Sequence, residues 1–146
     1  RICLVGSEMC IRDRAHAAID SGASCLVSPV VGTEVGEVAA QRDVAWMPGI
    51  ATPTEAYAAH QAGAPLQKIF PMPGIGAAWV KAVRGPMPFL NLVPTHGVHE
   101  NNAASFLKAG AHAVGFVQSV FDPNDIAERR WHKIKEKAEK ALASVR

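Results

Sequence analysis

The sequence predicts an α/β protein built on a parallel sheet, and two observations carry that prediction. Five short apolar runs recur at steps of 19, 24, 23 and 22 residues between their centres, and helix-like stretches rich in Ala, Glu, Gln and Lys separate them. The runs read as continuously apolar, which is typical of strands buried on both faces. They occupy residues 25–28, 44–47, 68–70, 90–93 and 113–117. The pattern alone leaves two architectures open, a doubly wound open sheet and part of a barrel.

Each of the connecting stretches has a recognisable helix signal. Thr33 offers an N-cap followed by acidic residues, and Thr52 begins a Thr-Pro-Thr-Glu sequence with proline at the first helical position. Gly63 and Gly110 stand where a glycine commonly ends a helix. We therefore predict helices that start at Thr33 and Thr52, and three more over 74–83, 99–109 and 125–145.

Length and composition exclude several classes of protein. The chain has 146 residues, of which 49% are hydrophobic and 19% charged, as expected for a globular domain. Its net charge of +2 is too balanced to indicate a nucleic-acid or acidic-membrane partner, and no apolar run approaches the length of a membrane span. A closed eight-stranded barrel needs roughly 200–250 residues. A barrel of this length would therefore be incomplete.

The first fourteen residues do not join the repeat. They read RICLVGSEMCIRDR, without a period of 2 or 3.6, and resemble the translated read-through of a sequencing adapter. We interpret 1–14 as a non-native N-terminal segment and 15–146 as one domain. The alternative is a short strand at 2–5 followed by a loop. Three cysteines without zinc-ligand spacing cannot all pair, which favours a reducing cytoplasm.

Lys68 is the most unusual residue at a predicted strand end. Alternation places Lys68 and Phe70 on one side of the strand and Ile69 on the other. A buried amine has a lowered pKa, which is what an imine-forming nucleophile needs. The alternative is a strand-edge lysine that reaches water. Residues 56–99 contain no Asp or Glu, so any carboxylate partner must come from another unit.

Two other motifs carry little weight. Residues 73–78 mimic a dinucleotide-binding glycine pattern, but the acidic residue expected about 20 positions on would fall near His96, inside the acid-free stretch. His96 and His99 are three residues apart and flank a loop glycine without a third ligand nearby, so we predict no metal site.

Five strand ends, taken in order, resemble those of one enzyme family. They read Leu-Val-Ser-Pro at 26–29, Pro-Gly-Ile-Ala-Thr at 48–52, Lys-Ile-Phe-Pro at 68–71, Pro-Thr-His-Gly at 94–97 and Gly-Phe-Val-Gln from Gly115. The resemblance is to the class I aldolases of 2-keto-3-deoxy-6-phosphogluconate (KDPG) and 4-hydroxy-2-oxoglutarate (KHG). It implies a fold of the (β/α)8 TIM-barrel type, here a partial barrel of about five βα units that correspond to strands 4 to 8, in an N-terminally truncated chain.

The resemblance also implies a mechanism. Lys68 would form the Schiff base with a 2-keto acid, whose cleavage releases pyruvate and an aldehyde. Phe70 would pack against the substrate, and the Thr95 hydroxyl would bind its carboxylate. The other substrate-binding residues would be Pro94, His96, Gly97, Gly115, Gln118 and Ser119. The class I mechanism uses no cofactor, and the family suggests a homotrimer.

The sequence departs from the family pattern in two respects. The Glu-x-Thr-x-Arg motif of the family's first strand does not occur, so we expect this chain to be impaired even if the parent is an enzyme. His96 stands where the family has glycine, and Gly115-Phe116-Val117-Gln118 stands where the family has Gly-x-Gly-Ser, which favours a smaller or non-phosphorylated substrate. Two alternatives remain: a phosphosugar isomerase or lyase of the phosphate-binding barrel group, and an inactive fragment that acts as a binding or oligomerising module.

Overall fold

Five parallel strands follow one another in chain order, with helices between them. The computed structural model describes residues 12–146. The strands are β1 (Cys25–Val27), β2 (Ala45–Met47), β3 (Gly49–Ile50), β4 (Gln67–Ile69) and β5 (Leu92–Pro94). The helices are α1 (Arg12–Asp20), α2 (Thr33–Gln41), α3 (Pro53–Gln61), α4 (Ala77–Arg84), α5 (Ala103–Lys108), α6 (Pro123–Ala127) and α7 (Trp131–Ala143). Residues 1–11, most of the segment interpreted as non-native, lie outside the described part, and that interpretation stays a prediction.

The order of the strands favours part of a barrel over a doubly wound sheet. β1 pairs with β2, and β3, β4 and β5 pair in that order, all in parallel. A doubly wound sheet would reverse its strand order at some point. Pro48 separates β2 from β3, and its carbonyl accepts the amide hydrogen of Lys68 at 2.9 Å. The chain thus passes from the first pair of strands to the next three through one proline.

The predicted strand at 113–117 is wrong. The segment runs beside β5, where His112 donates its N–H to the Leu92 carbonyl and Gly115 donates to Pro94. The separation between donor and acceptor is 20 residues in the first bond and 21 in the second, so the pairing slips by one residue and no regular ladder forms. Within the described residues this segment has a strand neighbour on one side only, so no second set of bonds holds it in register.

The predicted cap at the start of α3 and the predicted glycines at two helix ends are confirmed. Thr52 caps α3 in a capping box, because its hydroxyl accepts from Glu55 N at 3.2 Å while the Glu55 carboxylate accepts from Thr52 N at 2.9 Å. Gly63 and Gly110 both have positive φ, as predicted for residues that end a helix. The predicted N-cap at Thr33 is wrong: Gly32 takes that position without a side-chain bond, and Thr33 is the first helical residue.

The C-terminal helices also differ from the prediction. The helix predicted from residue 99 begins at Ala103, with Asn102 at the N-cap position without a side-chain capping bond. The single helix predicted over 125–145 is divided into α6 and α7, since Arg129 adopts a φ of 53° that no right-handed helix accepts. The early helix α1 was not predicted.

The face of the sheet that packs on the helices is fully buried, while the opposite face keeps some exposure. Trp46 is 2% exposed and lies against Gly36 of α2, where a Cβ would come within 2.5 Å of the indole ring. Ile69 and Leu92 are wholly buried. Ala45, which alternates with Trp46, is exposed. No helix among residues 12–146 is long and apolar enough to cross a membrane.

Candidate active site

Lys68 lies in the middle of β4, between Gly49 of β3 and Val93 of β5. Its Nζ stands 4.8 Å from the centre of the Phe70 ring, while Ile69 points away and is fully buried. The prediction that Lys68 and Phe70 lie on the same side of the chain, opposite Ile69, is therefore confirmed. Partial burial removes water from the amine and lowers the pKa of Lys68 below that of an ordinary lysine.

No carboxylate among residues 12–146 forms an ion pair with Lys68. Glu55, an acid of the preceding helix α3, is held by the backbone N–H groups of Ala51 and Thr52 at 2.8 and 2.9 Å. Glu37, an acid of α2, contacts Arg12 at 3.4 Å. Since a nearby carboxylate would stabilise the charged amine, the lack of one leaves desolvation as the cause of the lowered pKa.

His96 lies beside Phe70 and bridges two loops. The two rings meet edge to face, with centroids 5.9 Å apart and an interplanar angle of 84°. The imidazole Nδ1 accepts the backbone N–H of Met72 at 3.4 Å. His96 follows β5 and Met72 follows β4, so the imidazole joins the chain segments that leave two neighbouring strands.

Thr95 and Gly115 form a second contact at the same end of the sheet. The Thr95 hydroxyl donates to the Ile69 carbonyl at 3.3 Å, next to Lys68 along β4. A Cβ on Gly115 would lie 2.9 Å from Cγ2 of Thr95, so only glycine leaves this methyl group its present place. Pro94, which precedes Thr95, is fully buried and pairs with Ile69 in the sheet.

The remaining predicted site residues lie in two loops that meet at one point. Ser119 donates its hydroxyl hydrogen to the Val98 carbonyl at 2.8 Å, which joins the turn at 117–120 to the loop after β5. Gly97, in that loop, has a φ of 73° and its carbonyl accepts from Asn102 Nδ2 at 2.9 Å. Gln118 is exposed, and its side chain makes no hydrogen bond within residues 12–146. The structure therefore brings all the predicted residues except Gln118 into contact networks.

Sequence reasoning missed four residues that contribute to the site. Gly49 and Pro29 approach closely beside Lys68, a contact that no local pattern reveals. Met72 contributes only its backbone N–H. Asn102 shapes the loop after β5, since its Oδ1 also accepts from His99 N at 2.9 Å. The preference of asparagine for helix N-caps is a signal that could have identified this last residue.

The described residues contain no group of three or more His, Cys, Asp or Glu side chains that could hold a metal ion. The two histidines of the loop after β5 face different partners. His96 accepts from Met72, while His99 Nε2 lies 3.0 Å from Asn102 Nδ2.

Comparison with known proteins identifies the family. The model of the KDPG and KHG aldolases matches residues 2–137. The chain belongs to the KDPG and KHG aldolase family. The resemblance drawn from the five strand ends is thus confirmed.

Curated relatives of this aldolase family agree. The chain is 34% identical over 123 residues to a probable 2-dehydro-3-deoxy-6-phosphogalactonate aldolase of Rhizobium meliloti (strain 1021), which covers 83% of this chain and 58% of the relative. It is 29% identical over 128 residues to the 2-dehydro-3-deoxy-6-phosphogalactonate aldolase of Escherichia coli (strain K12), with 86% and 62% covered. The chain therefore spans about three fifths of the length of these relatives.

Solved structures support the fold. A structure described as native KDPGal superposes with a TM-score of 0.80 at 26% identity, over 92% of this chain and 66% of that one. A 4-hydroxy-2-oxoglutarate/KDPG aldolase superposes with a TM-score of 0.79 at 28% identity, over 92% and 65%. The fold is of the (β/α)8 TIM-barrel type, and this chain forms part of such a barrel.

Proposed function

We propose that the protein is a Schiff-base aldolase that cleaves a KDPG- or KHG-type 2-keto acid into pyruvate and an aldehyde. The observation that carries the proposal is the position of Lys68: a half-buried amine in the middle of β4, without an ion pair in the described residues and with a lowered pKa. A lower pKa raises the fraction of neutral amine, which is the form that attacks a carbonyl. Membership of the aldolase family and the aldolase names of the curated relatives point to the same chemistry.

The reaction follows from the chemistry of the amine. The neutral Nζ of Lys68 adds to the C2 carbonyl to form a carbinolamine. The carbinolamine hydroxyl takes a proton from solvent and leaves as water, which gives a protonated imine. The imine accepts the electrons of the C3–C4 bond as that bond breaks, while the C4 hydroxyl gives up its proton to a base and becomes the aldehyde. Protonation of the resulting enamine at C3 and hydrolysis release pyruvate and restore the amine.

The neighbouring residues would hold the substrate. Phe70 would pack against the bound 2-keto acid, because its ring is 41% exposed and lies over the amine. Thr95 would turn its hydroxyl from the Ile69 carbonyl to the substrate carboxylate, a bond that its long 3.3 Å distance makes easy to exchange. The remaining contacts are proposed for Pro94, His96, Gly97, Gly115, Gln118 and Ser119.

We also propose an oligomeric state and a cellular location for the enzyme. Family resemblance supports a homotrimer, and the sequence's cysteine usage supports a cytoplasmic location. A phosphosugar isomerase would need a carboxylate base at a strand end, and residues 12–146 place no carboxylate against Lys68.

Borohydride reduction in the presence of pyruvate tests the proposal. The imine should be reduced to a stable adduct, located on Lys68 by peptide mass spectrometry. Lys68→Ala should abolish the adduct, whereas Lys81→Ala, which removes an exposed lysine of α4, should leave it unchanged. The proposal fails if the wild-type chain yields no adduct, or if the adduct persists in Lys68→Ala.

A further inference from the structure

Phe70 contacts both the amine of Lys68 and the imidazole of His96. One face of its ring lies 4.8 Å from Nζ, and His96 meets it at nearly a right angle with centroids 5.9 Å apart. Within residues 12–146, His96 is the only aromatic side chain in contact with Phe70. Phe70 is 41% exposed, so a substantial part of its surface meets no protein atom. Its orientation over the amine therefore depends on few contacts.

The imidazole itself is held in place. Its Nδ1 accepts from Met72 N at 3.4 Å, so the ring is tied to the segment that follows Phe70. This bond requires an unprotonated Nδ1, which places the proton of a neutral imidazole on Nε2. An edge-to-face contact between two rings is favourable because the positive edge of one meets the negative face of the other. The contact and the bond act together, since both fix the imidazole relative to the chain that leaves β4.

We propose that His96 is a positioning residue: it holds the Phe70 ring over Lys68 and so keeps the amine in the place from which it attacks a 2-keto acid. This inference rests on the proposed aldolase function and extends it to a residue that does not touch the reacting atoms. Reaction rates depend steeply on the placement of the attacking group. Loss of the imidazole should therefore slow imine formation without removing the nucleophile.

Pyruvate is the informative probe because it has no atoms beyond C3. If His96 positions Phe70, its removal slows imine formation with pyruvate itself. If His96 contacts the substrate and does nothing more, imine formation with pyruvate is unaffected by its removal, and only the KM of a cleavable substrate, 4-hydroxy-2-oxoglutarate, rises. The second result would overturn the proposal.

Rates of borohydride-trapped adduct at saturating pyruvate provide the measurement. We expect His96→Gly to lower the rate by roughly threefold to tenfold, the factor that an aromatic pair contributes. His96→Phe keeps a ring against Phe70 and should recover most of the rate. His60→Gly is the matched control, because it removes a histidine that contacts a different phenylalanine, Phe89, at 4.7 Å. Equal rates in wild type and His96→Gly, or equal losses in both His96 variants, would refute the role.

A second measurement does not depend on pyruvate. ¹³C-methyl groups added to Lys68 by reductive methylation, assigned by their loss in Lys68→Arg, should resonate upfield because they lie over the Phe70 ring. Phe70→Ala should remove this shift, and His96→Gly should reduce it. An unchanged shift in His96→Gly would overturn the positioning role, whereas lack of a wild-type pyruvate adduct would overturn the aldolase proposal alone.

Discussion

Gly49 and Lys68 are register partners in adjacent strands, and the backbone of Pro29 occupies the place of a side chain on Gly49. A Cβ built on Gly49 would lie 2.0 Å from the Pro29 carbonyl oxygen and 2.4 Å from its carbonyl carbon. Side chains of register partners in a parallel sheet point to the same face. The chain that leaves β1 therefore lies on the face from which Lys68 projects, and contributes to the partial burial of the amine.

Gly49→Ala should destabilise the protein and disturb this arrangement. Because the clash is with backbone, which cannot turn aside as a side chain can, we expect a loss of about 1–3 kcal/mol in the free energy of unfolding. Urea denaturation followed by circular dichroism measures it. Gly74→Ala is the control, since a Cβ there meets no atom within 4 Å. Equal urea midpoints for Gly49→Ala and Gly74→Ala would show that the close packing of the Pro29 backbone on residue 49 does not require glycine there.

Lys68 should make the stability of the protein rise with pH in the alkaline range. Its pKa is lowered in the folded state by burial, whereas the unfolded chain has an ordinary lysine pKa of about 10.4. Between these two values the unfolded state binds more protons, so the free energy of unfolding increases as pH rises through that interval. Urea midpoints across the interval should rise more in wild type than in Lys68→Met. Parallel curves for the two proteins would contradict the desolvation of this amine.

Local sequence signals predicted the elements whose cause is local. The capping box of Thr52 and Glu55 lies within four residues, and it forms as predicted. Four of the five apolar runs become strands, with bounds shifted by one or two residues. The alternation that places Lys68 with Phe70 is equally local, since it needs only the period of a strand.

Features with distant causes could not be predicted in this way. The run at 113–117 has the composition of a strand, but a strand also needs partners to bond, and here the single described neighbour is met out of register. The break at Arg129 accompanies an ion pair, in which Arg130 of the inter-helix link binds Asp125 of α6. The Phe70–His96 contact joins residues 26 positions apart, through loops whose courses depend on the whole sheet.

Gly115→Ala should act on the site through Thr95. The added Cβ would lie 2.9 Å from the Thr95 Cγ2 methyl, which would force the side chain to rotate and break its hydrogen bond to Ile69. We expect a loss of about 1–3 kcal/mol in unfolding free energy. Thr95→Ser removes the methyl and keeps the hydroxyl, so the double variant Gly115→Ala/Thr95→Ser should recover most of the loss. A double-mutant cycle by urea denaturation tests the coupling. Strictly additive effects would mean that the two residues do not interact.

Asp125 should make the stability of the C-terminal helices fall at acidic pH. It is 3% exposed and accepts from Lys137 Nζ at 2.6 Å and from Arg130 Nε at 2.7 Å, and these charged donors lower the pKa of the carboxyl. Since the folded pKa is below the unfolded value of about 3.9, the stabilisation is fully present above that value and is lost as pH falls through the folded pKa.

Asp125→Asn should therefore lower the Tm at pH 7, and the difference from wild type should shrink as pH falls below about 4. Glu139→Gln, which removes an exposed carboxylate 3.8 Å from Lys135, should change the Tm little at any pH. A Tm difference for Asp125→Asn that stayed constant down to strongly acidic pH would mean that shape, and not charge, holds α6 against α7.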